Sequence, residues 1–155
     1  MSGKIDARLA ELGITLPAPA KPVANYVPFV VSGAHVFVSG QVPIEGGVVK
    51  YAGRVGGELS AEDGQAAARM AAINLMSQVR EAAGGDLDRV KRCVRLGVYV
   101  ASAADFTDQP RVANGASDVM VEVFGEKGRH ARTAIATNVL PLNCAVEVDG
   151  IFELA

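Results

Sequence analysis

Arg92-Cys93-Val94-Arg95-Leu96-Gly97-Val98-Tyr99-Val100-Ala101 alternates with the two-residue period of a β-strand. Val94, Leu96, Val98 and Val100 fall on one face, and Cys93, Arg95, Gly97 and Tyr99 on the other. A helix is predicted on either side of it. Upstream, Ser60 with Asp63 three residues on is a weaker form of the capping box, and Gly84-Gly85 supplies a stop. Ala72, Leu75, Met76, Val79 and Ala83 between them keep the spacing of a helix lying on a sheet. Downstream, Asp108-Gln109-Pro110 puts proline near a first turn, Val112, Ala116, Val119, Met120 and Val123 form the apolar stripe, and Gly125 ends it.

Outward from this unit, Tyr26 to Val31 and His35 to Ser39 are β-rich runs divided by the turn signal Ser32-Gly33-Ala34, and they read as a hairpin. Pro43 to Gly57 reads as a loop or a ragged ribbon. Ile5 to Gly13 reads as a short helix, followed by a proline-rich arm from Leu16 to Pro22, so residues 1–24 form an appendage of a single domain spanning 1–155. Ala131 to Val139 and Cys144 to Leu154 are the last strands, joined across Leu140-Pro141-Leu142-Asn143. The order β-β-α-β-α-β-β predicts an α+β sandwich with both helices on one sheet face. The other face is expected to carry Arg95, Tyr99, Arg132, Ala134, Ala136 and Glu147. Such a half-apolar surface of small side chains calls for cover by another subunit.

At 155 residues and 50% hydrophobic, the chain can build one real core. A formal charge of −2 and 5% aromatic residues give no electrostatic footprint for a polyanion and no stacking platform, so nucleic acid is not expected. Cys93 and Cys144 suit buried reduced thiols in a reducing compartment. The N-terminal stretch from Met1 to Arg8 lacks the apolar core of a signal peptide, and no apolar run approaches the roughly 20 residues that span a bilayer. A soluble, cytoplasmic protein is the expectation.

The chemistry concentrates in the last quarter, where Arg132 and Glu147 stand alone in apolar strands. A charged head group there needs a partner, solvent or a ligand. If Pro141 and Leu142 centre a two-residue turn, Glu147 faces Ala136 and shares a sheet face with Arg132, roughly 13 Å away at about 3.3 Å per residue. That gap admits a small ligand or a residue from a neighbouring subunit. Arg132 can hold a carboxylate through two parallel hydrogen bonds. Glu147 can handle a proton on water, carbon or nitrogen if its surroundings raise its pKa. The competing explanation is an ion-pair role for both residues at an interface.

Val38-Ser39-Gly40-Gln41-Val42-Pro43, and Arg132 followed fifteen positions later by Glu147 with Leu140-Pro141 between them, resemble the RidA/YjgF family of enamine/imine deaminases, also labelled L-PSP endoribonucleases. The segments Asn114-Gly115-Ala116-Ser117-Asp118 and Phe124 to Arg132 look like a divergent subgroup. The resemblance implies a chorismate-mutase-like fold with a mixed sheet, assembled as a homotrimer with three clefts between subunits. It also implies that a small 2-imino or 2-aminoacrylic acid is held by its carboxylate on Arg132. Glu147 would act on the water that releases ammonia and a 2-keto acid, without a cofactor. Ser39, Gly40 and Asn114 match cleft positions, with an aromatic from Tyr26 or Phe29. A frequent cysteine is replaced by Ala134, which removes thiol chemistry and alters the pocket. His130 falls on the Arg132 face if the strand already begins there, whereas His35 reads as structural.

The glycines of 125–129 lack a phosphate-loop ending, and those of 53–57 lack the dinucleotide pattern. Asp86 to Arg89 reads as a solvated connection. The scattered histidines and cysteines give no metal-ligand spacing. The alternatives to a deaminase are a non-catalytic binder of a keto acid or amino acid, and, further off, an endoribonuclease.

Overall fold

The capping signal at Ser60 works in both directions. Its hydroxyl accepts from the Asp63 amide at 3.1 Å, and the Asp63 carboxylate accepts from the Ser60 amide at 3.0 Å. Helix α2 follows over Ala61–Ala82, and Gly84 and Gly85 close it at φ +70° and +95°. The computed structural model describes residues 3–155; Met1 and Ser2, the start of the segment read above for a signal peptide, lie outside the described residues. Helix α1 spans Lys4–Glu11 and helix α3 spans Gln109–Phe124. The stripes expected of α2 and α3 are buried, and Leu75, Met76, Val79, Val112, Val119 and Met120 are wholly so. Each such side chain contributes roughly 1.5–3 kcal/mol on leaving water. Along the α2–α3 contact a Cβ on Gly115 would stand 2.0 Å from the Gln65 carbonyl oxygen, so only glycine lets the two backbones meet there.

Strands β1 (Phe29–Ser32) and β2 (His35–Gln41) form the predicted hairpin, with Phe29 paired to Val38 and Ser32 to His35. Between residues 43 and 50, β3 (Ile44–Glu45) and β4 (Val48–Val49) make a separate two-stranded ribbon. Strand β5 covers Val90–Ala101, β6 Ala131–Thr137 and β7 Val146–Leu154. The main sheet runs β1-β2-β7-β5-β6, with β5 and β6 parallel and the other pairs antiparallel. The result is the mixed α+β layer expected, with α2 and α3 on one face.

Two local expectations are overturned. Strands β6 and β7 are not a hairpin: they flank β5 on opposite sides. The connection Pro141–Asn143 is a 3₁₀ turn with Leu142 and Asn143 at positive φ, and besides its own turn bonds it bonds to another segment instead of joining β6 and β7 as a hairpin. The Gly53 amide donates to Asn143 O and the Ala145 amide to Tyr51 O, and these bonds carry the chain past the end of β5. In addition, Cys93 and Arg95 pair with the successive residues Phe152 and Ile151, so Val94 is the extra residue of a β-bulge. The bulge turns Cys93 into the core, fully buried, and leaves Val94 only partly covered. Both thiols are buried and free, although Cys144 sits in an isolated bridge just ahead of β7 rather than within a strand.

The Asp86–Arg89 segment is more than a solvated connection. Leu87 is buried, and the Asp88 carboxylate accepts from the Lys4 and Ile5 amides at 2.9 and 2.8 Å, capping α1. Arg8 Nε donates to Glu122 O, which ties α1 to α3, and Gln78 donates to Ala20 O, which ties the proline-rich arm to α2. No helix among the described residues is long and apolar enough to cross a membrane.

The face away from the helices carries Arg95, Tyr99, Glu147 and Asp149, with Val30, Phe37 and Ile135 exposed around them. Arg132, Ala134 and Ala136 do not belong to it. They pair with Leu96, Val98 and Val100, whose side chains are buried toward the helices. Because paired residues share a sheet face, Arg132 lies on the helix side.

Candidate functional site

The charged residues form two half-sites on opposite faces of the sheet. The first is at the outer edge, where α3 meets β6. Arg132 Nη1 donates to Asn114 Oδ1 at 2.9 Å and to Ser117 Oγ at 3.1 Å, and Nη2 reaches Pro110 O at 3.5 Å. All three partners are neutral. Among the described residues no carboxylate pairs with Arg132, so its charge stays available to an anion. His130 precedes β6 and sits beside the arginine through Ser117, and a depression of about 290 Å³ opens over Ser117, His130 and Arg132. Burial pushes the His130 pKa down, as does the nearby Arg132 charge, while its bond to Gly128 O acts the other way. Ala134 faces the core side and packs against it.

The second half-site lies on the bare face. Glu147 pairs across strands with Tyr99, and its carboxyl group lies against the backbone of Gly40, where a Cβ would be 2.1 Å from Oε1. The β2–β7 register shifts between Val38 and Gln41, and this bulge presents Gly40 to the glutamate. Tyr99 donates its hydroxyl hydrogen to Asp149 Oδ2 at 3.2 Å, and Arg95 Nη1 is 3.7 Å from Asp149 Oδ1. Burial raises the Glu147 pKa, and the neighbouring Asp149 charge raises it further. Burial and Asp149 likewise raise that of Tyr99.

A cavity of about 230 Å³ runs past Tyr26, Ser39, Gly40, Asn74 and Leu142. Ser39 is held there by donation to Val27 O at 2.9 Å. Tyr26 lines the cavity and is exposed, whereas Phe29 packs against the core, so of the two aromatics Tyr26 lies with Ser39 and Gly40. Sequence reasoning missed Ser117, Arg95 and Asp149. Ser117 was visible as a polar residue one helical turn from Asn114, which puts the two on one helix face.

The expectation that Arg132 and Glu147 share a face fails. Their strands are two apart and their levels on β5 differ by three residues, Leu96 against Tyr99. This puts the two backbones about 14 Å apart, from ~4.8 Å per strand and ~3.3 Å per residue, with the sheet between their side chains. No small ligand can touch both within one chain. Among the described residues no cluster of three or more histidine, cysteine, aspartate or glutamate side chains is placed to hold a metal. His35 opens β2 at the far side of the sheet from His130, so the two histidines do not form a pair.

A five-stranded mixed sheet backed by two long helices, with this strand order, defines a protein of the chorismate-mutase-like α+β class. The family described as "YjgF/chorismate_mutase-like, putative endoribonuclease" matches residues 6–154, and the chain belongs to that family. It is 52% identical over 154 residues to Protein TCP17 of Trypanosoma cruzi, covering 99% of this chain and 96% of that protein. The crystal structure of Atu1372 from Agrobacterium tumefaciens, a protein of unknown function, superimposes with a TM-score of 0.92 at 44% identity, covering 97% of this chain and 92% of the other. A structure from Shewanella oneidensis that carries the same endoribonuclease label gives 0.94 at 34% identity, covering 98% and 100%.

Proposed function

We propose that the protein is a cofactor-independent hydrolase of small 2-imino and 2-aminoacrylic acids, working in clefts formed where copies of the chain meet in a homotrimer. The observation that carries this reading is the separation of the half-sites. An unpaired guanidinium waits at one edge of the sheet, and a carboxyl group of raised pKa waits on the opposite face, so a ligand touching both needs two chains. Head-to-tail contact of edge to bare face generates a ring where the rotation between copies closes, and the proposed trimer is the ring that closes after three. The exposed Val30, Phe37 and Ile135, and an Asp149 Oδ1 buried without a hydrogen-bond donor among the described residues, are on the face such contact would cover.

In the cleft, Arg132 and Asn114 of one chain would hold the substrate carboxylate, with Glu147, Gly40, Ser39 and Tyr26 of the next on the other side. Glu147 takes a proton from water as its oxygen adds to the C=N carbon and passes that proton to the nitrogen, giving a carbinolamine. It then moves the hydroxyl proton to the amine, and cleavage of the C–N bond releases ammonia and leaves the C=O of the keto acid. The sum is imino acid plus water to keto acid plus ammonia, with no oxidant or reductant. Ala134 leaves this sequence intact because water is the nucleophile. A cytoplasmic setting agrees with two buried thiols that stay reduced.

The test is an imine generated in situ by an amino-acid oxidase. The protein should accelerate keto-acid release over buffer, and Glu147→Gln should abolish the acceleration. Keto-acid binding without acceleration would make the cleft a sensor instead.

A further inference from the structure

The hydrogen-bond directions around Arg132 are forced one after another. His130 Nδ1 lies 2.6 Å from the Gly128 carbonyl oxygen, which can only accept, so Nδ1 carries the ring hydrogen. In the neutral ring Nε2 is then a bare acceptor. It stands 2.8 Å from Ser117 Oγ, so the serine donates its one hydrogen there. The lone pairs of Ser117 Oγ are thereby turned to Arg132 Nη1 at 3.1 Å. A helical serine commonly bonds back to its own helix, but this one bridges α3 and β6.

Asn114 Oδ1 takes the second Nη1 hydrogen at 2.9 Å, which uses up that nitrogen. Nη2 spends at most one hydrogen on Pro110 O, and Nε has no acceptor among the described residues. The guanidinium therefore has one free edge, made of Nε–H and Nη2–H, with the parallel donors that a carboxylate accepts. We infer that Ser117 and His130 are positioning residues that lock the Arg132 guanidinium so that only its Nε–Nη2 edge is offered to an anionic substrate. For the identity of that anion the inference rests on the imine-hydrolase reading. The lock itself stands on the free protein.

Nitrogen-15 NMR of the full-length protein separates the two. In the wild type the ring of His130 should show the Nδ1–H tautomer, and rotation of the Arg132 guanidinium about Nε–Cζ should be slow. Ser117→Ala and His130→Ala should each free that rotation, and Ser117→Thr, which keeps the hydroxyl, should restore it. Pyruvate, as the binding probe, should bind the wild type, bind the alanine variants ~3–10-fold more weakly, as for one lost hydrogen bond, and bind Ser117→Thr almost normally. Where turnover is measurable, the alanine changes should raise KM with little effect on kcat. Equal guanidinium rotation in wild type and Ser117→Ala overturns the inference, as does equal pyruvate affinity in a wild type that binds it. A wild type that ignores pyruvate but holds Arg132 rigid supports the lock and counts against the hydrolase.

Discussion

Gly40 and Glu147 are in direct contact across β2 and β7, with room for a hydrogen on the glycine and none for a methyl group. The carboxyl group is the far end of a flexible side chain, so it would yield rather than the backbone. Gly40→Ala should therefore displace Glu147 and lower kcat/KM by ~10²-fold. Thermal melting should show a stability change within ~1 kcal/mol. Unchanged kinetics would remove Glu147 from the reaction.

Asp149 is the second cause of the raised Glu147 pKa, after burial. Removing its charge with Asp149→Asn should lower that pKa and release Arg95 as an added cation nearby, which acts in the same direction. If Glu147 works as a base, the acid limb of kcat/KM moves to lower pH. A limb that stays put in this variant would assign the titration to another group.

The same shift has a stability cost of definite sign. A carboxyl group with a folded pKa above its unfolded one binds more protons when folded, so stability falls as pH rises from the ordinary carboxylate range through the raised value. Glu147→Gln, which cannot ionise, should melt above wild type at neutral pH, with the gap closing in acid. Calorimetry across pH measures it.

Arg132→Ala should weaken a small keto acid by roughly 1.5–3 kcal/mol, the value of a charge-assisted hydrogen bond. Arg132→Lys keeps the charge but loses the planar fork, and should recover only part of that affinity. Titration calorimetry distinguishes the three proteins.

Replacing glycine by alanine inside a helix usually stabilises it, by ~1 kcal/mol. At Gly115 the new methyl would meet the Gln65 backbone, which cannot swing away, so Gly115→Ala should destabilise by ~1–3 kcal/mol instead. Because Asn114 is the adjacent residue, the variant should also bind the keto acid less well. Denaturant melts and calorimetry report the two effects separately.

Burial pushes the Cys93 thiol up to about 12 and Cys144 to about 11. At pH 8 neither should react with a disulfide reagent in the native protein, and both should react once it is unfolded. Rapid native labelling would show that one of them is reached by solvent.

Periodicity and punctuation were enough for the elements. Ser60 and Asp63 announced α2, Pro110 and Gly125 bounded α3, and Gly33 with Ala34 turned the first hairpin, because each acts within a few residues of backbone. Where a distant segment decided the outcome, local reasoning failed. Asp88 caps a helix more than eighty residues away, and the bulge at Val94 exists only because β7 pairs on both sides of it. The candidate site shows the same division. Arg132 and Glu147 stand out in the sequence as lone charges in apolar strands with His130 close by, and the family resemblance added Asn114, Ser39 and Gly40.

The sequence by itself determined which segments are helix and strand, which stripes the helices bury and which residues bring charge to apolar surroundings, since propensity, capping and periodicity are short-range. Only the tertiary structure decided that β6 and β7 flank β5 instead of pairing. That arrangement depends on hydrogen bonds between the 141–145 turn and residues 51–53, far apart in the chain. It also sets Arg132 and Glu147 on opposite faces of one sheet, because a side chain's face follows from its strand partner and not from its distance along the sequence.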